Sequence, residues 1–179
     1  MTKDPAVRVR PATVADKALL EGLAQFYLYD FSEIEPDGST RLEFDERGHF
    51  QVYAFDAYWR GTDGFHALLF FVGAHPAGFA LINTLSHRGG TVERNMGEFF
   101  VARRYRRRGV AREALRQILA TYPGQWEAAV MERNTAAQAF WPAAIAAAPN
   151  ASAIARHEGD GEHWRGPIWS FRAAAGHGR

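Results

Sequence analysis

Residues 98–111 of the chain read Glu98-Phe99-Phe100-Val101-Ala102-Arg103-Arg104-Tyr105-Arg106-Arg107-Arg108-Gly109-Val110-Ala111. The pattern predicts a strand that runs into a short basic turn, after which a helix begins at Gly109. The first backbone N–H groups of a helix have no partner within it, and together with the helix dipole they attract anions. The five arginines of the turn add positive charge and can hold phosphate oxygens through paired N–H groups. The residues themselves therefore indicate a site for a polyphosphate or a pyrophosphate.

This basic turn has two other interpretations. It could be a solvated loop without a ligand, or an arginine-rich patch for nucleic acid. The arginines are, however, compressed between a strand end and a helix start inside a β-α-β unit, which is where ligand sites are expected. No Gly-Lys-Ser/Thr follows, which excludes a Walker A loop, and the single glycine excludes a dinucleotide fingerprint. The position therefore favours anion binding.

Strands and helices are predicted on both sides of this turn. A strand at 96–102, a helix at 109–122 and a strand at 125–131 form a unit whose two strands must be parallel. Thr13 and Asp16 are predicted to cap a first helix, with an apolar stripe of Leu19, Leu20, Leu23, Phe26 and Tyr27. The remaining predictions are strands at 7–10, 66–72, 78–85, 151–157 and 162–171, a turn at 86–95 and a helix from Asn134. Residues 31–63, which include Pro36-Asp37-Gly38-Ser39, are predicted to form a long irregular connection.

The composition is that of one ordinary globular domain. The chain has 179 residues, of which 47% are hydrophobic and 23% are charged, as is typical of folded proteins. Lys and Arg number 21 against 20 Asp and Glu, and this balance argues against a globally basic nucleic-acid binder. The absence of cysteine excludes disulfides, zinc ribbons and thiol nucleophiles. No apolar run approaches the ~18 residues of a membrane span and no signal-peptide core is present, so we expect a cytoplasmic protein.

Two motifs resemble those of the GNAT superfamily of acetyl-CoA-dependent N-acetyltransferases. Arg106 to Ala111 matches the superfamily's Q/R-x-x-G-x-G/A signature, and Asn134, Ala137, Phe140 and Trp141 resemble its N-x-x-A-x-x-[FY]-Y helix. The resemblance implies an α+β fold with a mixed, mostly antiparallel sheet, a splayed parallel strand pair and flanking helices. It also implies a single acetyltransferase domain over residues 1–179, with a core at about 7–171 and a frayed tail at 172–179.

The resemblance assigns the cofactor site to the same stretch. Acetyl-CoA would lie in the cleft between the two parallel strands, and its pantetheine arm would pair like an added strand with Phe99, Phe100 and Val101. Asn134 would contact this arm or order the turn beside it, and Phe140 would pack against the cofactor. The pyrophosphate would bind the backbone N–H groups of Arg106, Arg107, Arg108, Gly109, Val110 and Ala111.

Transfer to an amine needs a base, and Glu98 is the carboxylate nearest the expected thioester. Burial there would raise its pKa into a useful range, although Glu98 could also be an ordinary strand residue or pair with an arginine. Backbone N–H groups around Val101 would polarise the oxyanion. Many relatives place a tyrosine acid where this chain has Trp141, whose indole has no accessible pKa. Another group or water would then supply the proton, or the chemistry is slow, or the protein binds acyl-CoA without turnover.

The predicted acceptor is a primary amine of a small molecule or a protein, acetylated by direct transfer. Tyr27, Tyr29, Asp30 and Glu33 near the end of the first helix are the candidate acceptor residues, because aromatic rings and carboxylates suit a cationic amine. The alternative functions are a non-catalytic acyl-CoA sensor and an RNA-binding module that uses Arg103 to Arg108.

The sequence predicts no metal site, no nucleic acid and no membrane among the partners. His157 and His163 flank Gly159-Asp160-Gly161 and could be drawn as a metal loop, but a polar hairpin tip explains the same residues. Strand edges near the C-terminus could pair between subunits and form a homodimer.

Overall fold

The computed structural model describes residues 6–35, 42–51 and 55–175. The strands are β1 (Val7–Pro11), β2 (His66–Val72), β3 (His75–Leu85), β4 (Thr91–Val101), β5 (Gly124–Ala129), β6 (Ala151–Glu158) and β7 (Pro167–Ala173). The α-helices are α1 (Lys17–Ser32), α2 (Asp56–Trp59), α3 (Val110–Thr121) and α4 (Thr135–Ala146), and short 3₁₀ turns lie at Val14–Asp16 and Arg103–Tyr105. None of these helices is both long and apolar enough to cross a membrane.

The seven strands form one mixed sheet in the order β1-β2-β3-β4-β5-β7-β6. All neighbours are antiparallel except β4 and β5, which are parallel. This arrangement confirms the predicted fold class. The parallel register pairs Arg94 with Trp126 and Asn95 with Glu127, and no later residue of β4 pairs with β5 in the described chain. The two strands therefore separate beyond Asn95 and leave a gap in the sheet.

Gly97 is the extra residue of a β-bulge in β4. Leu81 pairs with Glu98 and Ile82 pairs with Met96, so Gly97 has no opposite residue on β3. A Cβ at this position would lie 2.5 Å from Nδ2 of Asn83, which explains the glycine. A bulge shifts the alternation of side chains by one. Met96 and Phe99 consequently pack in the same core, and Glu98 is turned to the opposite face of the sheet.

Each face of the sheet carries its own apolar core. On one face, α3 and α4 cover Phe70, Trp126 and Phe171. On the other face, α1 packs through Leu20 and Ala24 against residues that include Leu69, Phe79 and Phe100. The gap between β4 and β5 is lined by residues from both faces of the sheet.

Several predicted boundaries are wrong in detail. Strand β4 begins at Thr91, inside the predicted turn, and β7 begins at Pro167 instead of residue 162 because 159–166 form a loop. Strand β7 also continues to Ala173, so Arg172 and Ala173 belong to the sheet rather than to a frayed tail. The stripe of α1 is shifted, since Leu20, Ala24 and Leu28 are buried and Phe26 is 64% exposed.

Other local predictions are confirmed. The backbone N–H of Thr13 donates to Asp16 Oδ2 as in the predicted capping pattern, although Thr13 caps the 3₁₀ turn at Val14–Asp16 and Asp16 is the N-cap of α1. The hairpin strand at 66–72 has the predicted bounds, and Asn134 is the N-cap of α4. The connection at 31–63 contains the short helix α2 and a bridge between Phe44 and Phe50, whereas the predicted turn at Pro36-Asp37-Gly38-Ser39 lies outside the described residues.

Candidate active site

A cleft of about 380 Å³ occupies the gap between β4 and β5. Tyr27, Phe31 and Glu35 line it from the α1 side, and Asn134, Ala137 and Trp141 line it from the α4 side. The strand residues and the opposite wall are Met96, Gly97, Glu98, Phe99, Ala129, Val130, Met131, His87, Trp164 and Arg165. Residues from both faces of the sheet therefore contribute to this one cleft.

Buried polar residues hold the closed end of the gap. Asn95, which is 1% exposed, donates from Nδ2 to Asn83 Oδ1 at 2.9 Å. Glu127, which is 3% exposed, accepts from Ser86 Oγ at 2.8 Å and from the backbone N–H of His87 at 2.6 Å. Buried polar groups of this kind are costly unless paired, and here the pairing ties the loop after β3 to β5.

Glu98 is the carboxylate in the cleft whose pKa is shifted most. Burial raises the pKa of Glu98 to about 7, and a hydrogen bond from the Tyr27 hydroxyl to Oε2 opposes this rise. A group with this pKa is partly ionised at neutral pH and can accept a proton from an ammonium ion. The structure thus brings a buried carboxyl of this pKa into the cleft, and among the described residues no ion pair joins Glu98 to an arginine. The role of Glu98 as the base stays a prediction.

Tyr27 is held in place by three aromatic rings. Its ring centroid lies 4.5 Å from Phe31, 5.7 Å from Phe79 and 6.0 Å from Phe100. Tilted and edge-to-face contacts of this kind restrict the orientation of the ring. The hydroxyl is therefore directed at Glu98 by packing from both α1 and the sheet.

The α4 side of the cleft is built around Phe99. The ring of Phe99 lies 5.4 Å from Trp141 and 6.0 Å from Phe140, and the side chain of Asn134 accepts from the N–H of Ala137 at 3.0 Å. Asn134 and Trp141 line the cleft, whereas Phe140 packs behind Phe99. The predicted contact of Phe140 with a cofactor stays a prediction.

The basic turn has the backbone geometry of an anion site. Arg107 and Gly109 have φ values of 59° and 76°, so alternate residues are left-handed, a backbone pattern that occurs in anion-binding concavities. Within the described chain, the N–H groups of residues 107–112 donate to no protein acceptor. The N–H of Arg106 is already bound to the carbonyl of Arg103 at 3.2 Å. The available donors therefore begin at Arg107, one residue later than predicted.

The side chains of Arg103 and Arg106 connect this turn to α1. Arg106 Nε donates to the carbonyl of Val101 at 2.7 Å, and its guanidinium pairs with Asp30. Arg103 pairs with Asp30 at 2.7 Å and reaches Glu33 at 3.9 Å. Two of the predicted acceptor residues are thus engaged by arginines of the turn.

The four predicted acceptor residues occupy different environments. Tyr27 lines the cleft, Tyr29 is 57% exposed, and Asp30 and Glu33 face the turn instead of the gap. Helical geometry explains the difference, since positions 27, 29, 30 and 33 do not share one face of α1. Tyr29, Asp30 and Glu33 are not among the residues that line the cleft. Their role in acceptor binding stays a prediction, and their positions do not favour it.

The free edge of β4 can accept an extended ligand. One edge of Phe99, Phe100 and Val101 pairs with β3, and the opposite edge borders the gap. Unpaired strand edges bind extended chains through their backbone N–H and C=O groups. The carbonyl of Val101 already accepts from Arg106 Nε, and contact of Phe99, Phe100 and Val101 with a pantetheine arm stays a prediction.

Sequence reasoning missed one wall of the cleft, which consists of His87, Trp164 and Arg165. The rings of His87 and Trp164 are 4.4 Å apart, and Trp164 Nε1 donates to the carbonyl of Val130 at 3.2 Å. Burial lowers the pKa of His87 from its usual value, so its ring is mainly neutral at pH 7. A tryptophan within the glycine-rich segment 159–166 could have indicated a loop at the cleft, but the prediction of a strand at 162–171 covered this segment.

The histidines of the tail make local polar contacts. His163 Nδ1 lies 2.6 Å from Asp160 Oδ2, and His157 Nε2 lies 2.8 Å from Ser170 Oγ. Among the described residues, no three His, Asp or Glu side chains lie close enough together to hold a metal ion.

The sequence matches the model of the acetyltransferase (GNAT) family over residues 24–144. No curated protein sequence matches the chain.

Several solved structures are similar in fold. An acetyltransferase from Thermus thermophilus has 20% identity and a TM-score of 0.66, with 96% of this chain and 100% of that chain covered. A GNAT-family acetyltransferase from Staphylococcus aureus Mu50 has 12% identity and a TM-score of 0.59, with 94% and 99% covered. The PaiA N-acetyltransferase from Thermoplasma acidophilum, solved in complex with coenzyme A, has 10% identity and a TM-score of 0.58, with 94% and 99% covered. At sequence identities of 10% to 20%, the similarity shows that these proteins share the fold.

Proposed function

The chain belongs to the acetyltransferase (GNAT) family, and on that basis we propose that it transfers an acetyl group directly from acetyl-CoA to a primary amine. The observation that carries this proposal is Glu98, a carboxylate with a pKa of about 7 inside a cleft that opens through the sheet. A base of this strength suits the removal of a proton from an ammonium ion near neutral pH. The acceptor is a small molecule or an exposed amine of a protein.

The residues around the cleft fit acetyl-CoA as a substrate. The N–H groups of residues 107–111 would hold its pyrophosphate, and the free edge of β4 at Phe99 to Val101 would hold its pantetheine arm. Asn134 lies on the same side of the gap. The fold likeness to an acetyltransferase that contains coenzyme A supports this assignment. Bound in this way, acetyl-CoA supplies an activated thioester at the gap.

The protein's own groups would then act in sequence. Glu98 takes a proton from the ammonium form of the acceptor, which becomes a nucleophile. Because Glu98 lies on the α1 face and Phe99 on the α4 face, the amine and the thioester approach from opposite sides of the sheet. Backbone N–H groups around Val101 would stabilise the negative charge that develops on the carbonyl oxygen.

A second candidate function is an acyl-CoA sensor without turnover. It is favoured by Trp141, which is 6% exposed and occupies the position where the resemblance expects a tyrosine. An RNA-binding role for Arg103 to Arg108 is less well supported, because Arg103 and Arg106 are already paired with Asp30. The cytoplasmic location and a homodimer stay predictions.

Calorimetric titration with acetyl-CoA, free CoA and ATP in parallel tests the cofactor site. We expect tight binding of the first two and little binding of ATP. Release of CoA thiol is then measured with ethylamine, putrescine, tyramine, lysine and a peptide with a free N-terminus. Thiol release with one of these amines supports the transferase, binding without release supports the sensor, and no binding of any of the three ligands refutes both.

A further inference from the structure

The proposed reaction leaves one proton unaccounted for at the sulfur. Attack of an amine on a thioester breaks the C–S bond, and the departing thiolate leaves more easily when it receives a proton. Trp141 cannot supply this proton, since its indole N–H does not ionise in the accessible range. Among the described residues, Tyr27 is the one tyrosine that lines the cleft.

We propose that Tyr27 protonates the leaving thiolate and is reprotonated by Glu98, so that this pair carries a proton from the amine to the sulfur. This inference rests on the proposed transferase function and adds a second catalytic residue to it. Tyr27 then acts on the reacting atoms, in addition to any contact that it makes with the acceptor.

The geometry of the pair provides the path. The hydroxyl of Tyr27 donates to Glu98 Oε2, so a proton can pass between them without movement of either side chain. Both residues face the cleft that Phe99 and Trp141 line from the other side of the sheet. The rings of Phe31, Phe79 and Phe100 keep the hydroxyl in this position.

The step is balanced in atoms and charge. The nitrogen–carbon bond forms as the carbon–sulfur bond breaks, and nothing is oxidised or reduced. The ammonium nitrogen loses two protons on its way to the amide: Glu98 accepts one of them and the other passes to water. Tyr27 gives its hydroxyl proton to sulfur, and Glu98 returns the accepted proton to the Tyr27 oxygen. Both side chains end in their starting states. The order is chemically reasonable, because Tyr27 is replenished by a carboxyl whose ordinary acidity is far greater than that of a phenol.

Other ionisable groups near the pair are less suited to this role. Tyr58 of α2 interacts electrostatically with Glu98, but its hydroxyl accepts from Asn83 Nδ2 at 3.2 Å and is not part of the cleft lining. A guanidinium such as that of Arg165 does not give up its proton in proteins, and among the described residues no hydrogen bond links Glu35 to Glu98. Burial lowers the pKa of His87 and so disfavours its charged form, the form that would donate a proton readily, and its ring packs on Trp164.

The test compares Tyr27→Phe with the wild type, using whichever amine of the panel gives the fastest thiol release. Phenylalanine keeps the ring contacts and removes the hydroxyl. The matched control is Tyr122→Phe, which removes a hydroxyl from a half-buried tyrosine outside the cleft. For each protein, calorimetry gives the affinity for acetyl-CoA, and kcat is measured from about pH 6 to about pH 9.

We expect Tyr27→Phe to bind acetyl-CoA within about 2-fold of the wild type and to lose about 100-fold in kcat across the whole pH range. The midpoint of the rise of kcat with pH should also move to higher pH in this variant, because the lost hydrogen bond favoured the ionised form of Glu98. Tyr122→Phe should behave as the wild type.

Two results would overturn the inference while leaving the transferase intact. One is an unchanged kcat in Tyr27→Phe. The other is a kcat that recovers to the wild-type value near pH 9, which would mean that Tyr27 merely adjusts the acidity of Glu98. A wild type that binds acetyl-CoA but releases thiol with no amine would refute the proposed function itself, and the inference with it.

Discussion

At the scale of single residues, Glu98 shows how a fold can make a weak acid into a base for neutral pH. The carboxyl lies among the aromatic side chains of the α1 face, where burial disfavours its charged form. The hydrogen bond from Tyr27 favours that charged form and limits the shift. The balance of these two effects brings the pKa to about 7.

The first prediction concerns activity. In the wild type, kcat/KM should rise with pH around an inflection near 7, since the ionised carboxylate is the active form. Glu98→Gln should lose about 100-fold in kcat/KM at pH 8 and should lose this inflection. Thiol release from acetyl-CoA over a pH series measures both effects. An inflection that persists in the variant would assign the base to another group.

The second prediction concerns stability, which Glu98→Gln should increase although the same variant loses activity. A folded-state pKa above the unfolded value means that the native state binds the proton more tightly, so the stability from Glu98 is present below about pH 4 and is lost as pH rises through 7. Glu98→Gln removes the buried charge and should raise the free energy of unfolding by about 2 kcal/mol at pH 8. At pH 5 the difference should fall to about a quarter of that value, because the carboxyl of the unfolded chain is already mostly ionised there while that of the folded state is not. Urea unfolding at the two pH values measures it, and equal differences at both would contradict the assigned cause.

At the scale of elements, the junction of β4 and α3 combines a strand edge with the turn that we propose binds the pyrophosphate. The backbone at Arg107 and Gly109 is left-handed, and a Cβ at Gly109 would meet no atom within 4 Å. The glycine is therefore required by its φ of 76° rather than by crowding within the protein. The paired arginines at Arg103 and Arg106 anchor the same junction to α1 through Asp30.

The third prediction uses two glycines of different geometry. Gly109→Ala should cost about 1 kcal/mol in stability and weaken binding of acetyl-CoA about 10-fold, because the left-handed conformation becomes unfavourable. Gly22→Ala is the matched control, since Gly22 lies in α1 with open space around its Cα and should gain about 0.5–1 kcal/mol without a change in affinity. Calorimetric titration and thermal unfolding of both variants provide the data. Unchanged affinity in Gly109→Ala would remove the turn from the binding site.

At the scale of the whole molecule, the sheet is continuous at one end of the β4–β5 pair and open at the other. Asn83, Asn95 and Glu127 hold the closed end with buried hydrogen bonds. Side chains from both faces of the sheet line the gap, so a ligand along the free edge of β4 would lie beside residues of both layers. Such a ligand binds the folded state and has no comparable site on the unfolded chain.

The fourth prediction follows from this arrangement. Acetyl-CoA at about 100 times its Kd should stabilise the fold by about 2.7 kcal/mol, which corresponds to a rise in Tm of about 5–11 °C for a domain of this size. Gly109→Ala should show a smaller rise at the same ligand concentration. Differential scanning calorimetry with and without acetyl-CoA gives the comparison, and an unchanged Tm of the wild type would argue against a preformed site.

The part of the site that could be predicted from the sequence lies within short windows. The β-α-β unit, the glycine at the start of α3, the Asn134 cap and the position of Glu98 on β4 all follow from local periodicity, capping and backbone conformational preference. These signals act over a few residues, so they are present in the sequence itself. The resemblance to a known family then indicated the cleft and its substrate.

The tertiary structure decided which side chains meet in the cleft. The bulge at Gly97 turns Glu98 toward α1, where it meets Tyr27, and a loop between β6 and β7 brings Trp164 to His87. Asp30, which the sequence analysis predicted to bind the acceptor, forms ion pairs with Arg103 and Arg106 instead. Local propensity contains no information on these contacts, because they join residues far apart in the chain and depend on register, strand twist and the packing of both cores. The sequence by itself therefore determined the elements and the basic turn, whereas three-dimensional packing brought together the proposed catalytic pair, Tyr27 and Glu98.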